Sequence, residues 1–316
     1  MNFEQLRGFD TVARLGHFTR AAEELHLAQP SLSRQIATLE HDLGVGLFHR
    51  VRGHITLTAA GETLLPLARR MLADAESARR EMAELIGLRR GRVRLGATPT
   101  LCVSLVAEVL SAFRTAHPGI ELQLTERGSR GLTEELNEGA LDLALITATE
   151  SGRPTTASLN RTPLLTEELV VISSASQRPL SSGGTISLSE LSRLPQIVFS
   201  ESYDLRTTTD QAFRNAGLTP VVALEGAEMD AVLRFVERGM GVAVVPAMVL
   251  LDRPLLSSTR LTEPHLSRTI SIASRADVQA THAAAAMQKL ITATARALTA
   301  SGAPLAHLLS NASRSS

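Results

Sequence analysis

A chain of 316 residues exceeds what one average core accommodates, so two or more domains are expected. Hydrophobic residues make up 44% of it and the 32 basic side chains balance 32 acidic ones, the profile of a soluble globular protein rather than a broadly basic one. The lone cysteine, Cys102, excludes an intramolecular disulfide and a Cys-rich zinc site. No apolar run of about 18 residues is present, so no membrane span is expected. The polar opening MNFEQLRGFD argues against a secretory signal and for a cytoplasmic protein.

Phe3, Leu6, Phe9 and Ala13 predict a first helix. The next stretch, FTRAAEELHLAQPSLSRQIATLEHDL from Phe18 to Leu43, predicts two further helices, with Thr19 as cap of the first and Leu27 plugging the turn. Pro30 pre-sets the opening turn of the second. Leu32, Ile36, Leu39 and Leu43 recur at 4-3-4 spacing and define one buried face, leaving Ser31, Arg34, Gln35 and Thr38 outward with Ser33 beside them. Small polar residues and an arginine at a helix start suit entry into a DNA major groove; the bland alternative is an ordinary helical hairpin. Phe48 to Thr58 predicts two short strands around Gly53. Their basic tip, Arg50 and Arg52 with His49 and His54 near, suits phosphate contact or a narrow minor groove. The outline is a winged helix-turn-helix. The first 90 residues hold 12 arginines and 11 acidic residues, with Glu23, Glu24, Glu40 and Asp42 away from the proposed DNA side. Lys289 is the only lysine; an arginine excess suits bidentate phosphate and guanine contacts but equally a genome-wide codon bias.

Residues 1–61, by FTRAAEELHLAQPSLSRQIATLEHDLGVGLFHR and LTAAG, resemble the DNA-binding domain of the LysR-type transcriptional regulators. The similarity continues with lower motif density to about residue 300. It implies that Gln29, Pro30, Ser33 and Arg34 line the DNA-facing helix and that the wing contacts the backbone. With the outward Ser31 and the wing arginines Arg50 and Arg52, these are the candidate DNA-binding residues.

Thr58 is placed to cap a long linker helix over residues 62–90. Leu64, Ala68, Met71, Ala75, Ala78, Met82 and Leu85 are spaced 4-3-4-3-4-3, a heptad seam suited to pairing two helices; the alternative is a helix lying on its own domain. A dimer calls for an inverted-repeat DNA site. The resemblance implies a tetramer and, as a further partner, RNA polymerase.

From residue 91 short strands and helices alternate, which predicts parallel sheets covered on both faces. The expected fold is therefore α/β: an N-terminal winged helix-turn-helix with a long linker helix, then a two-lobed effector domain over 91–300. Lobe I takes 91–161 and 268–300, lobe II 162–267, and a loosely ordered tail follows over 301–316. The crossovers are expected near Ser151 to Thr162 and Pro264 to Arg268, and Ser187-Leu188-Ser189-Glu190 reads as a capping box. The resemblance implies a periplasmic-binding-protein-like clamshell holding a small-molecule inducer, with Thr98, Thr100, Ser129, Ser200 and Tyr203 in contact with it. These hydroxyls equally suit helix caps. Helix N-termini favour an anion, so a small carboxylate is the first expectation, with Arg130 and Arg206 as pairing candidates; Glu201 and Glu228 favour a cationic or hydroxylated compound instead.

Cys102 near a helix start suits either a redox thiol or a buried inert one. The peroxide-sensing branch of the family uses a second cysteine, which is absent here. The histidines lack metal-ligand spacing, and neither a phosphate-cradling glycine motif nor a Gly-x-Ser-x-Gly nucleophile occurs, so no metal, cofactor or catalytic residue is expected. The alternatives to a ligand-responsive regulator are a solute-binding or redox-sensing module without promoter control and an enzyme on a similar two-lobed fold.

Overall fold

The computed structural model describes residues 1–51, 54–85, 91–148, 159–201 and 203–312. Two compact units emerge: Met1–Gly91 with Glu134–Leu141, and Arg92–Thr133 with Asp142–Ser316.

The first unit carries α1 (Phe3–Leu15), α2 (Phe18–Glu24), α3 (Gln29–Leu43), β1 (Phe48–Val51), β2 (His54–Leu57) and α4 (Ala59–Leu85). Asn2 and Gln5 open α1 with a reciprocal capping box, which satisfies two otherwise orphaned amides. Leu6, Phe9 and Val12 of α1 meet Ala21 and Ala22 of α2 and Leu32, Ile36 and Leu39 of α3 in one core. The Phe48 ring stands 5.3 Å from Phe9 and 6.0 Å from Phe18, so the first wing strand is anchored to the helices by aromatic contact. Arg52 and Gly53 lie outside the described residues, as does the side chain of Arg50.

Several expectations change here. The cap of α2 is His17, whose Nδ1 accepts from the Thr19 amide, because the helix begins one residue before Thr19. Leu43 is exposed, since α3 ends there and Gly44 turns the chain away in the left-handed region. Phe3, at the first position of α1, is exposed as well. Gln35 turns its amide oxygen inward, where it is buried without a hydrogen-bond partner among the described residues.

Thr58 caps α4 as expected: its hydroxyl accepts from the Gly61 amide at 3.1 Å and donates to the Gly46 carbonyl at 2.7 Å. The heptad seam divides. Leu64, Ala68 and Met71 pack on the unit's own core, and Arg69 donates to Asp10 of α1 at 2.8 Å. Farther along, Ala78 is exposed and Met82 is 54% exposed. The side chain of Leu85 and residues 86–90 lie outside the described residues.

The second unit runs β3 (Arg92–Ala97), α5 (Pro99–Leu101), a π turn (Cys102–Val106), α6 (Ala107–Ala116), β4 (Glu121–Glu126), α7 (Ser129–Asn137), β5 (Leu143–Ala148) and β6 (Leu159–Ser174). It continues with β7 (Thr185–Ser187), α8 (Leu188–Leu191), β8 (Pro195–Phe199), α9 (Asp204–Asn215), β9 (Val221–Ala227), α10 (Met229–Glu237) and β10 (Ala243–Pro246). A 3-10 turn (Ala247–Leu250), β11 (Leu256–Thr262), β12 (Ser267–Arg275), α11 (His282–Leu298) and β13 (Leu309–Asn311) complete it. The capping box at Ser187 and Glu190 forms and opens α8. Pro99–Ala116 is long and apolar enough to cross a membrane by length and composition, yet Leu101, Leu105, Val109 and Phe113 along it are buried in the unit's core.

Parallel pairing holds for β3 with β4 and β5, for β8 with β9 and for β7 with β11. The remainder corrects the expectation of parallel sheets joined by short crossovers. β6 is a 16-residue strand that pairs antiparallel with β12 along its first part and with β10 and β11 along its second. Val170, Val171 and Ile172 are buried because strands flank them on both edges and layers cover both faces. The described part of the tail is ordered: Leu309, Ser310 and Asn311 pair with Glu167, Thr166 and Leu165 of β6, and Leu308 is buried.

Gly61, the last residue of LTAAG, gives the first unit a testable weak point. A Cβ there would stand 2.3 Å from the Leu47 carbonyl oxygen, a backbone atom that cannot swing aside. Gly61→Ala is expected to lower unfolding stability by about 1–3 kcal/mol, measured by urea denaturation; an unchanged midpoint would contradict the packing described.

Candidate functional site

In the first unit the exposed end of α3 presents Gln29, Pro30, Arg34 and Thr38, with Ser31 and Ser33 half-buried among them. Ala28 at the N-cap offers no side-chain hydrogen bond, so the first amides of the helix are not consumed by a cap. The Arg34 Nε donates at 3.4 Å to the Pro30 carbonyl, which lays the side chain back along the helix start.

In the second unit a cavity of about 270 Å3 is lined by Thr98, Pro99 and Thr100 after β3, Glu126, Arg127 and Gly128 after β4, and Thr147 of β5. Tyr203, Asp204 and Leu205 at the start of α9, Glu228 before α10 and Arg268 of β12 complete the wall. Strand ends and helix starts converge there, the usual location for ligands in α/β folds. Of the five residues expected to touch an effector, Thr98, Thr100 and Tyr203 line the cavity. Ser129 and Ser200 do not: the Ser129 hydroxyl is 3.1 Å from that of Thr147 and accepts from the Thr147 amide at 3.1 Å. Ser202 lies outside the described residues. The Thr98 hydroxyl makes no cap hydrogen bond although Thr98 stands at the N-cap position, so capping does not account for it.

The charges differ from the sequence reading. Arg206 donates to Asp210 at 2.8 Å and to the Phe199 carbonyl at 2.9 Å, and pairs with Glu225, which takes it out of the cleft. Arg127, not Arg130, lines the wall. Three carboxylates (Glu126, Asp204, Glu228) and two guanidiniums (Arg127, Arg268) line it together. The Tyr203 hydroxyl donates to Glu228; burial first, and then this carboxylate, hold the phenol above its usual range and protonated.

Sequence reasoning missed the group beneath the cavity. Glu167 and Arg268 are direct cross-strand partners on β6 and β12, and are 0% and 7% exposed. Arg268 Nη2 lies 2.8 Å from Glu167 Oε1 and Nε donates to the same oxygen at 2.9 Å; Glu167 Oε2 accepts from the Met248 amide at 3.0 Å. Arg268 also donates to the Thr100 hydroxyl at 2.8 Å. Arg268 ends one expected crossover and Glu167 lies five residues past the other, but register decides such pairs and spacing does not reveal it.

Residues 3–62 match the family model for the bacterial regulatory helix-turn-helix protein, lysR family, and residues 87–296 match the LysR substrate binding domain. The chain belongs to the LysR-type transcriptional regulators. It is 34% identical over 273 residues to the HTH-type transcriptional regulator YybE of Bacillus subtilis, covering 86% of this chain and 92% of that protein. It is 33% identical to a probable nitrogen assimilation transcriptional activator of Synechococcus elongatus, covering 86% and 88%. Among solved structures, full-length CbnR complexed with its target DNA superposes with a TM-score of 0.63 at 26% identity, covering 94% of this chain and 99% of that one. This LysR-type protein is thus a DNA-binding regulator of transcription with a substrate-binding domain.

In this regulator Cys102 sits beside the cleft with its thiol directed at the Ala97 carbonyl, 3.9 Å away. Burial, and next the Glu126 carboxylate, push the thiol up to about 12. The thiolate fraction at pH 8 is then about one in ten thousand, against about a quarter for a free cysteine. Folded protein is expected to resist iodoacetamide at pH 8 and to label on denaturation; labelling at the free-cysteine rate would contradict this.

The buried pair carries a second expected outcome. Glu167→Ala strands the Arg268 guanidinium without its counter-charge and should cost about 3–5 kcal/mol in denaturant unfolding. Replacing both by apolar residues of similar volume should recover much of that loss. A single variant as stable as the parent would contradict the assignment.

Proposed function

We propose that this protein controls transcription by reading an inverted repeat in promoter DNA with paired copies of α3, and that a small molecule held in the cavity of the second unit sets its activity. The reading rests chiefly on one observation: the start of α3 is exposed, uncapped by a side chain and led by Pro30, with Arg34 beside it. An arginine so placed suits a guanine edge, and the small Ser31 and Ser33 let the backbone approach phosphates. Arg50 and Arg52 of the wing add backbone contacts in this reading. The exposed second half of α4, with Ala78 and Met82, suits pairing of two chains, and a two-fold dimer demands a two-fold operator. A tetramer and contact with RNA polymerase complete the proposal.

The effector acts by population shift: a ligand touching both walls of the cavity favours the closed arrangement of the lobes, and closure alters the spacing of paired readers. Thr98 and Thr100 on one wall and Tyr203 on the other support this role.

Footprinting upstream of the gene and its neighbours should find a protected inverted repeat. On that site Arg34→Ala should weaken binding by about 1–3 kcal/mol, roughly five- to 150-fold, in fluorescence anisotropy at fixed salt, with Ser33→Ala weakening it less. Unaltered affinity in both variants would refute the assignment of α3.

A further inference from the structure

The seam between α1 and α3 holds a polar atom that its surroundings leave unused. The Gln35 side-chain oxygen is, among the described residues, the only buried side-chain nitrogen or oxygen without a hydrogen-bond partner. It lies over Gly8: a Cβ there would stand 3.6 Å from this oxygen, 2.8 Å from Leu32 Cδ1 and 3.7 Å from Ile36 Cδ1. Gly8, Leu32 and Ile36 are all buried, so the seam is apolar. Two polar neighbours on α3 are engaged along the helix instead. Arg34 Nε donates to the Pro30 carbonyl at 3.4 Å, and the Thr38 hydroxyl to the Arg34 carbonyl at 2.9 Å. Burying an acceptor without a donor destabilises the free protein, and folded proteins keep few such groups. An unbranched apolar side chain would fill the same seam without that cost.

The place of Gln35 on α3 supplies a reason to keep it polar. It follows Ser31 by four residues and precedes Thr38 by three, so it borders the presented face of the helix along one edge. Long side chains on a helix lean back over the turn before their own. An outward rotamer of Gln35 therefore lies over the half-buried Ser31, whose small side chain leaves room, and carries the amide toward the helix start led by Pro30. A glutamine amide matches one base edge in both directions: its oxygen accepts from adenine N6 and its N–H donates to adenine N7. On that edge both halves of the amide are satisfied; in the seam the oxygen is not.

We propose that Gln35 is a base-reading residue held inward in the free protein, and that on the operator its amide turns out of the seam and pairs with an adenine in each half-site. This rests on the reading of α3 given above and adds a specificity-determining residue to it. The free protein then carries the cost of the unpartnered oxygen, and DNA binding relieves it. Stability and recognition are opposed at this one position, a relation common where a functional group breaks a local rule.

The test uses Gln35→Met in the full chain, a side chain of similar length that removes the amide. In urea denaturation the variant should unfold at a higher midpoint than the parent. In fluorescence anisotropy at fixed salt on the footprinted operator it should bind about five- to 150-fold more weakly, the loss of one bidentate base contact. The deciding measurement replaces each A·T pair of the half-site by G·C in turn. The parent should lose affinity at one adenine to which Gln35→Met is indifferent, while both proteins respond alike at the other positions. A lowered midpoint with operator affinity and base preference unchanged makes Gln35 a packing residue and overturns the proposal. A loss of affinity that is uniform over all operators, with no position relieved, overturns it as well. Arg34→Ala, measured alongside, separates the two readings. If Arg34→Ala weakens binding and Gln35→Met does not, Gln35 is struck and the reading of α3 stands; if neither does, that reading falls.

Discussion

The cavity depends on one buried ion pair. Glu167 and Arg268 face each other across β6 and β12, and both are shielded from water. Removing two such charges from solvent costs several kcal/mol per ion, which is offset only when geometry and remaining hydrogen bonds are complete. Here they are: one carboxylate oxygen takes the guanidinium, the other takes the Met248 amide, and the guanidinium reaches on to Thr100. Three separate stretches of chain are therefore held to one carboxylate. Beside it the Thr166 and Thr269 hydroxyls meet at 3.0 Å, and on the other edge β13 pairs with the same stretch of β6. The strand crossing is thus a fixed base on which the cavity wall stands.

From that base the chemistry of the cleft follows in order. Arg268 has protons to give and no lone pair to offer, so the Thr100 hydroxyl accepts from it, and Thr98 lies 3.4 Å beyond. Helix starts ordinarily make such a place attractive to anions. Here Asp204 and Glu228 stand at two such starts, and Arg206 is spent on Asp210, Glu225 and a carbonyl.

The first unit shows one sequence pattern serving two ends. A heptad seam on α4 states that one face of the helix is apolar, not what covers that face. Its first half is covered by α1 and the core of the same unit, with the Arg69 to Asp10 hydrogen bond alongside; in its second half Ala78 and Met82 are exposed. Gly61 belongs to the same junction, where the start of α4 lies so close to the Leu47 carbonyl that no side chain fits between them.

By itself the sequence determined what depends on near neighbours along the chain. Pro30 and the Leu32, Ile36, Leu39 rhythm specify α3, Thr58 and Ser187 specify caps, and FTRAAEELHLAQPSLSRQ with LTAAG identifies the family, because periodicity, capping and turn chemistry act over a few residues. Even there helix ends slipped, as at His17 and Leu43, since the final turn depends on what it meets. Tertiary structure alone decided the rest. That β6 is one long antiparallel strand, that residue 167 lies against residue 268, that Arg206 leaves the cleft while Arg127 lines it, and that the tail returns as β13 all depend on strand register and packing between distant segments. A shift of one residue in that register would have turned Glu167 to the opposite face of the sheet, and nothing in local spacing records which alignment wins.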